Sequence, residues 1–378
     1  MTKSLKTKAK AAIGMQKHFK IVICALATGI VIILLAICLE PQPKGGIRLG
    51  APSGHFSTAL SINEDGEVMG FYLAKSPPRG FLWTQETGMQ DIGTLGGTMT
   101  MPFAMNDKGQ IVGYSSTAAG NSHAFLWTKE SGMQNLDTLS GLRSLASAIN
   151  NKGQIAGHLY LGNDQTHAFF WSRENGIQDI GTLGGKDSYP RYIDDSGCII
   201  GESELADGTT HVFRWTQKDG MQDLGLPKHN DWGRVPIIKG QLLGCLNVSP
   251  DNVPVFLWTE ESGTRNIGNL GHTATPFHVN DSQQVVGIFK MKNNTRAFFW
   301  SQEQGFCDLG TMGADWSQAV DINNQGLIVG TVGKFPPWWV TSWNWVSEKL
   351  HLPNRFTFDI EEYVIQEAVL WTAPSSAN

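Results

Sequence analysis

Residues 123–135 read HAFLWTKESGMQN, and residues 167–179 repeat nearly the same phrase as HAFFWSRENGIQD. The Trp of this phrase recurs every 42 to 45 residues, at Trp83, Trp127, Trp171, Trp215, Trp258, Trp300 and Trp345. A second phrase, of the form INxxGQIVG, ends in a Gly that recurs every 43 to 44 residues, at Gly70, Gly113, Gly157, Gly201, Gly244, Gly287 and Gly330. Two independent markers with one period define an internal repeat.

One repeat unit predicts four short strands. Residues 146–149 form the first, 154–157 begin the second, 167–171 form the third and 177–180 the fourth. The turn at 150–153 ends in a Gly, which adopts a positive φ at low cost, as a tight hairpin requires. Strands of four to six residues separated by Gly and Asn turns indicate antiparallel sheet.

The strand composition indicates burial on both faces. AFLW and QIVG are apolar on both sides of the strand, as expected for a sheet packed between two neighbours. A period of ~40–45 residues suits one propeller blade. We therefore predict an all-β, seven-bladed β-propeller of four-stranded antiparallel blades. A linear solenoid is the rival architecture.

The two ends of the repeat region predict how the ring closes. Residues 47–52 resemble the fourth-strand phrase at 91–95 but precede the first complete unit, so this strand is expected to join the last blade. Residues 349–352 are the candidate fourth strand of that last unit. Residues 368–372, AVLWT, echo the AFLWT phrase, and an eighth, degenerate blade is the alternative. The predicted propeller spans 47–354, and 355–378 is a tail that forms an extra blade or closing strands.

The N-terminus predicts export. Residues 21–39 contain no charge and as a helix would span about 28 Å, close to the thickness of a bilayer core. Residues 1–20 contain six Lys and no acidic residue, which predicts a cytoplasmic segment, a transmembrane signal-anchor helix at 21–39 and a linker at 40–46. The membrane is thus an expected partner, and the propeller is expected in the periplasm or at the cell surface. Cleavage as a signal peptide, followed by secretion, is the alternative.

Charge and motifs exclude several functions. The chain has a net charge of −5, to which residues 1–20 contribute +6 and Glu40 −1, so residues 41–378 carry −10. An acidic body is unsuited to nucleic acid, because phosphate contacts need a basic face. The five Cys are scattered and predict neither a disulfide framework nor a zinc site. No GxSxG, HExxH, P-loop or Rossmann pattern occurs in a fitting context, so no catalytic residue, metal or cofactor is predicted.

The repeated phrases resemble the HAF repeat family of bacterial extracellular repeats. His123-Ala124-Phe125 and His167-Ala168-Phe169 carry the name, and the Trp-Thr, Gly-Met-Gln-Asp-Leu-Gly-Thr-Leu-Gly-Gly and Ile-Asn-Asp-Lys-Gly-Gln-Ile-Val-Gly phrases match as well. The resemblance covers roughly residues 55–350. It implies export and a propeller-like repeat, and it brings no established activity.

Residues that recur in every unit are interpreted as structural. Phe125 and Trp127 share one face of a strand, and Ala124 and Leu126 the other. The His that begins equivalent third strands (His123, His167, His211) is expected to hydrogen-bond a neighbouring turn, with a metal ring as the alternative. The Asn and Asp of the INxxG turns are expected to bond their own backbone, with calcium binding as the alternative.

Function is expected where the repeats disagree, in loops on one face of the ring. Aromatic rings offer flat apolar area and Arg offers directed charge, a combination suited to a glycan or a peptide. The candidate binding residues are Asp187, Tyr189, Arg191, Asp231, Trp232, Arg234, Asp315, Trp316, Trp338 and Trp339. For Trp338 and Trp339 the alternative is a plug in the ring seam or contact with the membrane surface.

Three functions remain open from the sequence. The first is a membrane-anchored, non-catalytic binding scaffold for a glycan or protein partner. The second is a propeller glycoside hydrolase or lyase, which would need two of Asp187, Asp231 and Asp315 to converge in one cleft. The third is a purely structural envelope protein.

Overall fold

The computed structural model describes residues 46–50, 56–73, 77–136, 142–227, 237–238, 241–245, 254–259, 263–269, 274–291, 294–335 and 365–374. All the regular elements in these ranges are β-strands. Within them, no helix has the length and hydrophobicity needed to cross a membrane. The predicted membrane segment at 21–39 lies outside the described residues.

The first four sheets follow the order of the sequence, each strand pairing antiparallel with the next, and one parallel bridge joins the third sheet to the fourth. The first sheet contains β2 (Ser57–Ile62), β3 (Val68–Leu73), β4 (Pro78–Thr84) and β5 (Gly88–Asp91). The second contains β6 (Gly96–Met105), β7 (Ile111–Thr117), β8 (Ser122–Thr128) and β9 (Gly132–Asn135). The third contains β10 (Ser144–Ile149), β11 (Ile155–Gly162), β12 (Gln165–Ser172) and β13 (Gly176–Gly181). The fourth contains β14 (Gly184–Ile193), β15 (Ile199–Leu205), β16 (Thr210–Thr216) and β17 (Gly220–Pro227).

The remaining strands include one sheet built from both ends of the chain. The fifth sheet contains β18 (Ile237–Ile238), β19 (Gln241–Cys245), β20 (Pro254–Thr259) and β21 (Gly263–Asn269). The sixth contains β22 (Ala274–Val279), β23 (Val285–Lys290), β24 (Thr295–Ser301) and β25 (Gly305–Gly310). The last has the order β26 (Trp316–Ile322), β27 (Leu327–Lys334), β28 (Ile365–Thr372) and β1 (Ile47–Arg48). The N-terminal strand therefore forms the outer edge of the last sheet.

The identity of the third strand in the last sheet corrects the sequence analysis. Ile328 pairs with Trp371, as Ile155 pairs with Trp171 in the third sheet. Trp371 thus occupies the place that the repeat spacing assigns to Trp345. The propeller extends to Thr372, and residues 368–372 are a strand of the last sheet and not the start of an extra one. The candidate fourth strand at 349–352 lies outside the described residues, and β1 occupies that place in the sheet.

Neighbouring sheets share apolar cores, as the two-sided burial of the strands predicts. Phe125 packs toward the first sheet with Met69 and Leu82, whereas Ala124 and Leu126 pack toward the third. The same arrangement joins the third sheet to the fourth and the sixth to the last. One further core combines Val329 and Leu370 of the last sheet with Val68, Phe81 and Trp83 of the first. The first and last sheets therefore pack face to face like sequence neighbours.

A buried hydroxyl group also bridges consecutive sheets. Ser144 Oγ accepts a hydrogen bond from the Ala124 N–H at 2.8 Å. At the junction of the last and first sheets, Ser57 Oγ accepts the Ala368 N–H at 3.0 Å and donates to the Gly50 carbonyl at 2.8 Å. The junction of the last and first sheets thus uses the same hydrogen bond as the junction of the second and third.

The recurring Gly of the second phrase has a steric cause. A bulge in the first strand brings backbone against this residue, so a Cβ on Gly157 would lie 2.1 Å from the Leu145 carbonyl oxygen and 2.5 Å from the Phe169 ring. On Gly113 it would lie 2.0 Å from the Met101 carbonyl oxygen. Both separations are shorter than any van der Waals contact, so no other residue fits without backbone movement.

The INxxG turns form a belt in which each turn supports the next. Asn150 Oδ1 accepts the backbone N–H of Gln154 at 2.8 Å within its own turn, and Nδ2 donates to the Asp194 carbonyl at 2.7 Å in the next sheet. Asn323 of the last sheet donates to the Asn63 carbonyl of the first at 3.0 Å. These bonds confirm the structural interpretation of the Asn. Among the described residues, no group of three or more His, Cys, Asp or Glu could hold a metal ion.

The repeated His forms a hydrogen bond, but its partner differs from the expected one. His167 Nδ1 lies 2.9 Å from Asp179 Oδ2, and His211 Nδ1 lies 2.9 Å from Asp223 Oδ2. The partner belongs to the fourth strand of the same sheet, not to a neighbouring turn. The Gly225 N–H and then His211 hold the pKa of Asp223 below its ordinary value. The pair therefore fastens the third strand to the outer one.

Candidate functional site

A variable pair of positions recurs on the inner strands of the sheets. The residue inserted at each first-strand bulge lies beside the residue that follows the repeated Gly on the second strand. In the second sheet this pair is Phe103 and Tyr114, whose rings stack with centroids 5.9 Å apart. In the fourth sheet it is Arg191 and Glu202, which form an ion pair at 3.0 Å. The pair changes chemistry from sheet to sheet, whereas the surrounding framework does not.

Five of these and adjacent side chains form a surface that we call the aromatic band: Phe103, Tyr114, His158, Tyr160 and Tyr189. It crosses the second, third and fourth sheets. The His158 ring lies between those of Tyr160 and Tyr189, with centroid distances of 5.2 and 5.3 Å in edge-on geometry. Phe103 is 42% exposed and Tyr160 38% exposed. Large rings left in contact with water are typical of a recognition surface.

A cleft of about 350 Å³ opens in the aromatic band between the second and third sheets. Its volume lies at the lower end of the range for ligand pockets, roughly 300–1,000 Å³. The lining side chains combine rings, hydroxyl groups and one cation: Met99, Phe103, Tyr114, Ser122, Arg143, Ser144, Leu145 and Tyr160. The Arg143 guanidinium lies 5.2 Å from the centroid of the Tyr160 ring, a cation–π contact.

Burial sets the protonation of the band. Desolvation, with a smaller contribution from the Arg191 charge, lowers the pKa of His158 to about 4, so its imidazole is neutral at pH 7. Its Nε2 lies 3.2 Å from the Tyr160 hydroxyl. Burial also raises the pKa of Tyr114 above its ordinary value. The band therefore presents neutral rings, and its positive charge comes from arginine.

The structure places the predicted residues of the fourth sheet in or beside this band. Tyr189 belongs to it, and Arg191 lies at its edge in the ion pair with Glu202. Asp187 has a different role, because its carboxylate accepts the backbone N–H of Thr166 at 3.0 Å and so joins the third and fourth sheets.

The predicted residues of the last sheet lie elsewhere. Asp315 Oδ2 accepts the Phe335 N–H at 2.8 Å, and the Trp316 ring lies against Gly333. Asp315 thus holds the residue that follows β27, and Trp316 packs against β27 itself. The remaining candidates are outside the described residues: Asp231, Trp232, Arg234, Trp338 and Trp339.

Four residues of the band and one of the cleft were not among the predicted site residues: Phe103, Tyr114, His158 and Tyr160 of the band, and Arg143 of the cleft. The predicted residues lie where the loops differ between units, whereas Tyr114 and His158 directly follow the repeated Gly inside a regular strand. The sequence signal for Tyr114 and His158 is the variation of this strand position between units, where the residues are Phe71, Tyr114, His158, Glu202, Ile288 and Thr331.

Comparisons with known proteins establish the architecture. No protein-family model matches the chain, and no curated protein matches it significantly in sequence. Oligogalacturonate lyase from Vibrio parahaemolyticus superposes with a TM-score of 0.52 and 11% identity, over 88% of this chain and 94% of that one. The β-propeller domain of the trilobed protease from Pyrococcus furiosus superposes with a TM-score of 0.50 and 10% identity, over 73% and 91%. TolB from Acinetobacter baumannii superposes at 0.44 with 14% identity over 68% of this chain and 63% of TolB, less than two thirds of that protein. The chain is an all-β protein of β-propeller architecture.

Proposed function

We propose that this protein is a membrane-anchored, extracytoplasmic β-propeller that binds a partner molecule and catalyses no reaction. The observation that carries this proposal is the aromatic band with its cleft. Phe103 and Tyr160 remain partly exposed, at 42% and 38%, and neither ring belongs to one of the apolar cores between the sheets. Exposed rings beside a concave, partly cationic surface favour binding of a glycan or protein ligand.

The roles of the candidate carboxylates favour binding over hydrolysis. A glycoside hydrolase needs two carboxyl groups free to act on one glycosidic bond. Asp187 and Asp315 instead accept backbone N–H groups, and they do so in different sheets. An acceptor committed to the main chain is poorly placed to donate a proton to a leaving group. The hydrolase or lyase alternative is therefore not favoured.

A closed ring of seven blades would give the band a rigid platform. The first and last sheets share an apolar core, the Ser57–Ala368 hydrogen bond and the Asn323–Asn63 hydrogen bond. These contacts support a blade count of seven, with β1 as the closing strand, and a family assignment to HAF-type repeats remains part of the proposal. A binding surface on packed strands loses little conformational entropy when a ligand arrives.

The anchor and the location rest on the sequence. The uncharged segment at 21–39 follows six Lys and would hold the propeller on the far side of the membrane. Protease added to spheroplasts should digest the propeller and spare a tag at the N-terminus. Protection of the propeller in intact spheroplasts would contradict this orientation.

The binding role is tested with the full-length chain in detergent micelles on glycan and peptide arrays. Phe103→Ala and Tyr160→Ala should each lose the captured ligands. Leu224→Ala is the matched control, because Leu224 is 40% exposed but lies on the outer strand β17. Equal capture by the wild type and by both band variants, or no capture by the wild type, would contradict the proposal.

A further inference from the structure

The junction between the second and third sheets differs from the next one. Between the third and fourth sheets, Thr166 and Asp187 form a parallel bridge, and the Asp187 carboxylate accepts the Thr166 N–H. Ser122 and Arg143 occupy the equivalent positions one repeat earlier, since Arg143 precedes Ser144 as Asp187 precedes Ser188. A guanidinium has no acceptor atom and cannot take the bond that Asp187 takes. Ser122 and Arg143 therefore lack the bridge that joins Thr166 to Asp187, and both residues line the cleft.

Arg143 also differs from four arginines of the sheets. Ion pairs with carboxylates hold Arg48, Arg79, Arg191 and Arg296. For Arg143, the described part of the chain provides the Tyr160 ring and no carboxylate within ion-pair distance. A planar guanidinium in a cleft is suited to bidentate binding of a carboxylate. The cleft therefore favours an anionic group on its ligand.

The other lining groups indicate what carries that anion. Phe103 and Tyr114 offer stacked ring faces, and Ser122, Tyr114 and Tyr160 offer hydroxyl groups. A pyranose ring has a face of C–H groups and a rim of hydroxyl groups, which match a ring face and hydroxyl partners together. An acidic peptide side chain would satisfy Arg143 but would place methylene groups against the hydroxyl groups.

We propose that the cleft between the second and third sheets binds an acidic saccharide, with the sugar carboxylate on Arg143 and a pyranose face against Phe103 and Tyr114. This inference rests on the proposed binding function and names the class of its ligand. His158 supports the site by accepting or donating at the Tyr160 hydroxyl, which holds that ring beside Arg143. The neutral imidazole adds no second charge.

The test is calorimetric titration of the full-length chain in micelles with trigalacturonate and with its fully methyl-esterified form. The ester keeps the pyranose faces and hydroxyl groups but removes the negative charge. A charged hydrogen bond in such a site corresponds to a factor of about ten or more in Kd. We therefore expect the ester to bind at least about tenfold more weakly than trigalacturonate.

Variants separate a specific site from general attraction. Arg143→Ala should weaken trigalacturonate binding at least about tenfold, and Arg143→Lys less, because it keeps charge without the planar fork. Arg173→Ala removes the same charge from the third-to-fourth-strand turn at the opposite end of the third sheet and should change nothing. The thermal midpoint of each variant shows that it is folded. Equal binding of the ester, no effect of Arg143→Ala, or tighter binding of triglutamate peptide would each overturn the inference.

The two proposals fail differently. If trigalacturonate does not bind but array ligands still depend on Phe103 and Tyr160, the acidic-saccharide inference is wrong and the binding function stands. If trigalacturonate does not bind and capture of the array ligands is also unchanged by Phe103→Ala and Tyr160→Ala, both proposals are wrong.

Discussion

Arg48 and Glu367, 319 positions apart in the chain, form an ion pair between β1 and β28. The pair occupies the place that Arg79 and Asp91 occupy in the first sheet. Its polarity is reversed, because the last sheet carries the acid on its third strand and the cation on its fourth. The closing strand therefore reproduces the internal contact with exchanged charges.

The reversed polarity predicts a charge-swap rescue. Arg48→Glu and Glu367→Arg each place like charges opposite one another, and the double variant restores attraction. Because both side chains are partly exposed, we expect a coupling free energy of only about 0.2–1 kcal/mol, decreasing with salt. Urea unfolding of the wild type, both single variants and the double variant measures it. Strictly additive effects at low salt would contradict the pairing.

Ser57→Ala tests closure more strongly. It leaves the Ala368 N–H buried without its acceptor, which should cost about 1–3 kcal/mol in the free energy of unfolding. Ser144→Ala is the internal control, since Ser144 accepts the Ala124 N–H in the same way, and its cost should be similar. A neutral Ser57→Ala beside a costly Ser144→Ala would show that the ends do not meet.

One turn of the belt carries the wrong residue for its conformation. Gln283 has φ of 59°, where the third and last sheets have Gly153 at 79° and Gly326 at 78°. A side chain at positive φ destabilises the folded state by about 1–2 kcal/mol. Glycine avoids this strain, but its greater freedom in the unfolded chain offsets about 0.5–1 kcal/mol of the gain. Gln283→Gly should therefore stabilise the protein by about 0.5 kcal/mol in thermal unfolding. The reverse change, Gly153→Gln, should destabilise it, and a gain from both would refute the explanation.

The buried Asp321 carboxylate should make the free energy of unfolding depend on pH in the acidic range. Burial alone would raise its pKa, but His278 at 2.9 Å and hydrogen bonds from the Ile62 N–H and Ser61 Oγ hold the pKa below its ordinary value. A lowered folded pKa contributes stability above the unfolded pKa of about 3.9, and this is lost as pH falls through the folded value. Asp321→Asn removes the charged acceptor of the Ile62 N–H and Ser61 hydrogen bonds and should cost about 1–3 kcal/mol at pH 7.

The measurement is urea unfolding from pH 7 down to about pH 3, below the ordinary Asp pKa. The wild type should lose stability more steeply below about pH 4 than Asp321→Asn does. Asp65→Asn, at an exposed turn position, is the control and should follow the wild type. Parallel curves for the wild type and Asp321→Asn would disprove the assigned role.

The strands and their stacking were predictable from the sequence. The recurring Trp and Gly define the repeat, and the apolar residues on both sides of each strand lie within a few positions of one another. Trp345 and Trp371 show the limit. Both follow β27 with apolar neighbours, and spacing favours Trp345 because it lies 45 residues after Trp300, whereas Trp371 lies 71 residues after it. The choice depends on which strand meets Ser57, a residue more than 300 positions away.

The binding surface was harder to predict for a different reason. Tyr189 and Arg191 stand out as departures from the repeat, but Tyr160 and Arg143 become neighbours only through pairing and a cation–π contact. Whether a junction is bridged, as at Thr166 and Asp187, or open, as at Ser122 and Arg143, depends on acceptor chemistry at two distant positions.

The pairing of β1 with β28 has a consequence for biosynthesis. Among the described strands, β1 leaves the ribosome first and its partner β28 leaves last. The nascent chain must therefore keep the edge of β1 unpaired until Ile365–Thr372 has been made. Chaperones that cover exposed edges during this interval, and stop codons shortly before Ile365, should have disproportionate effects on yield.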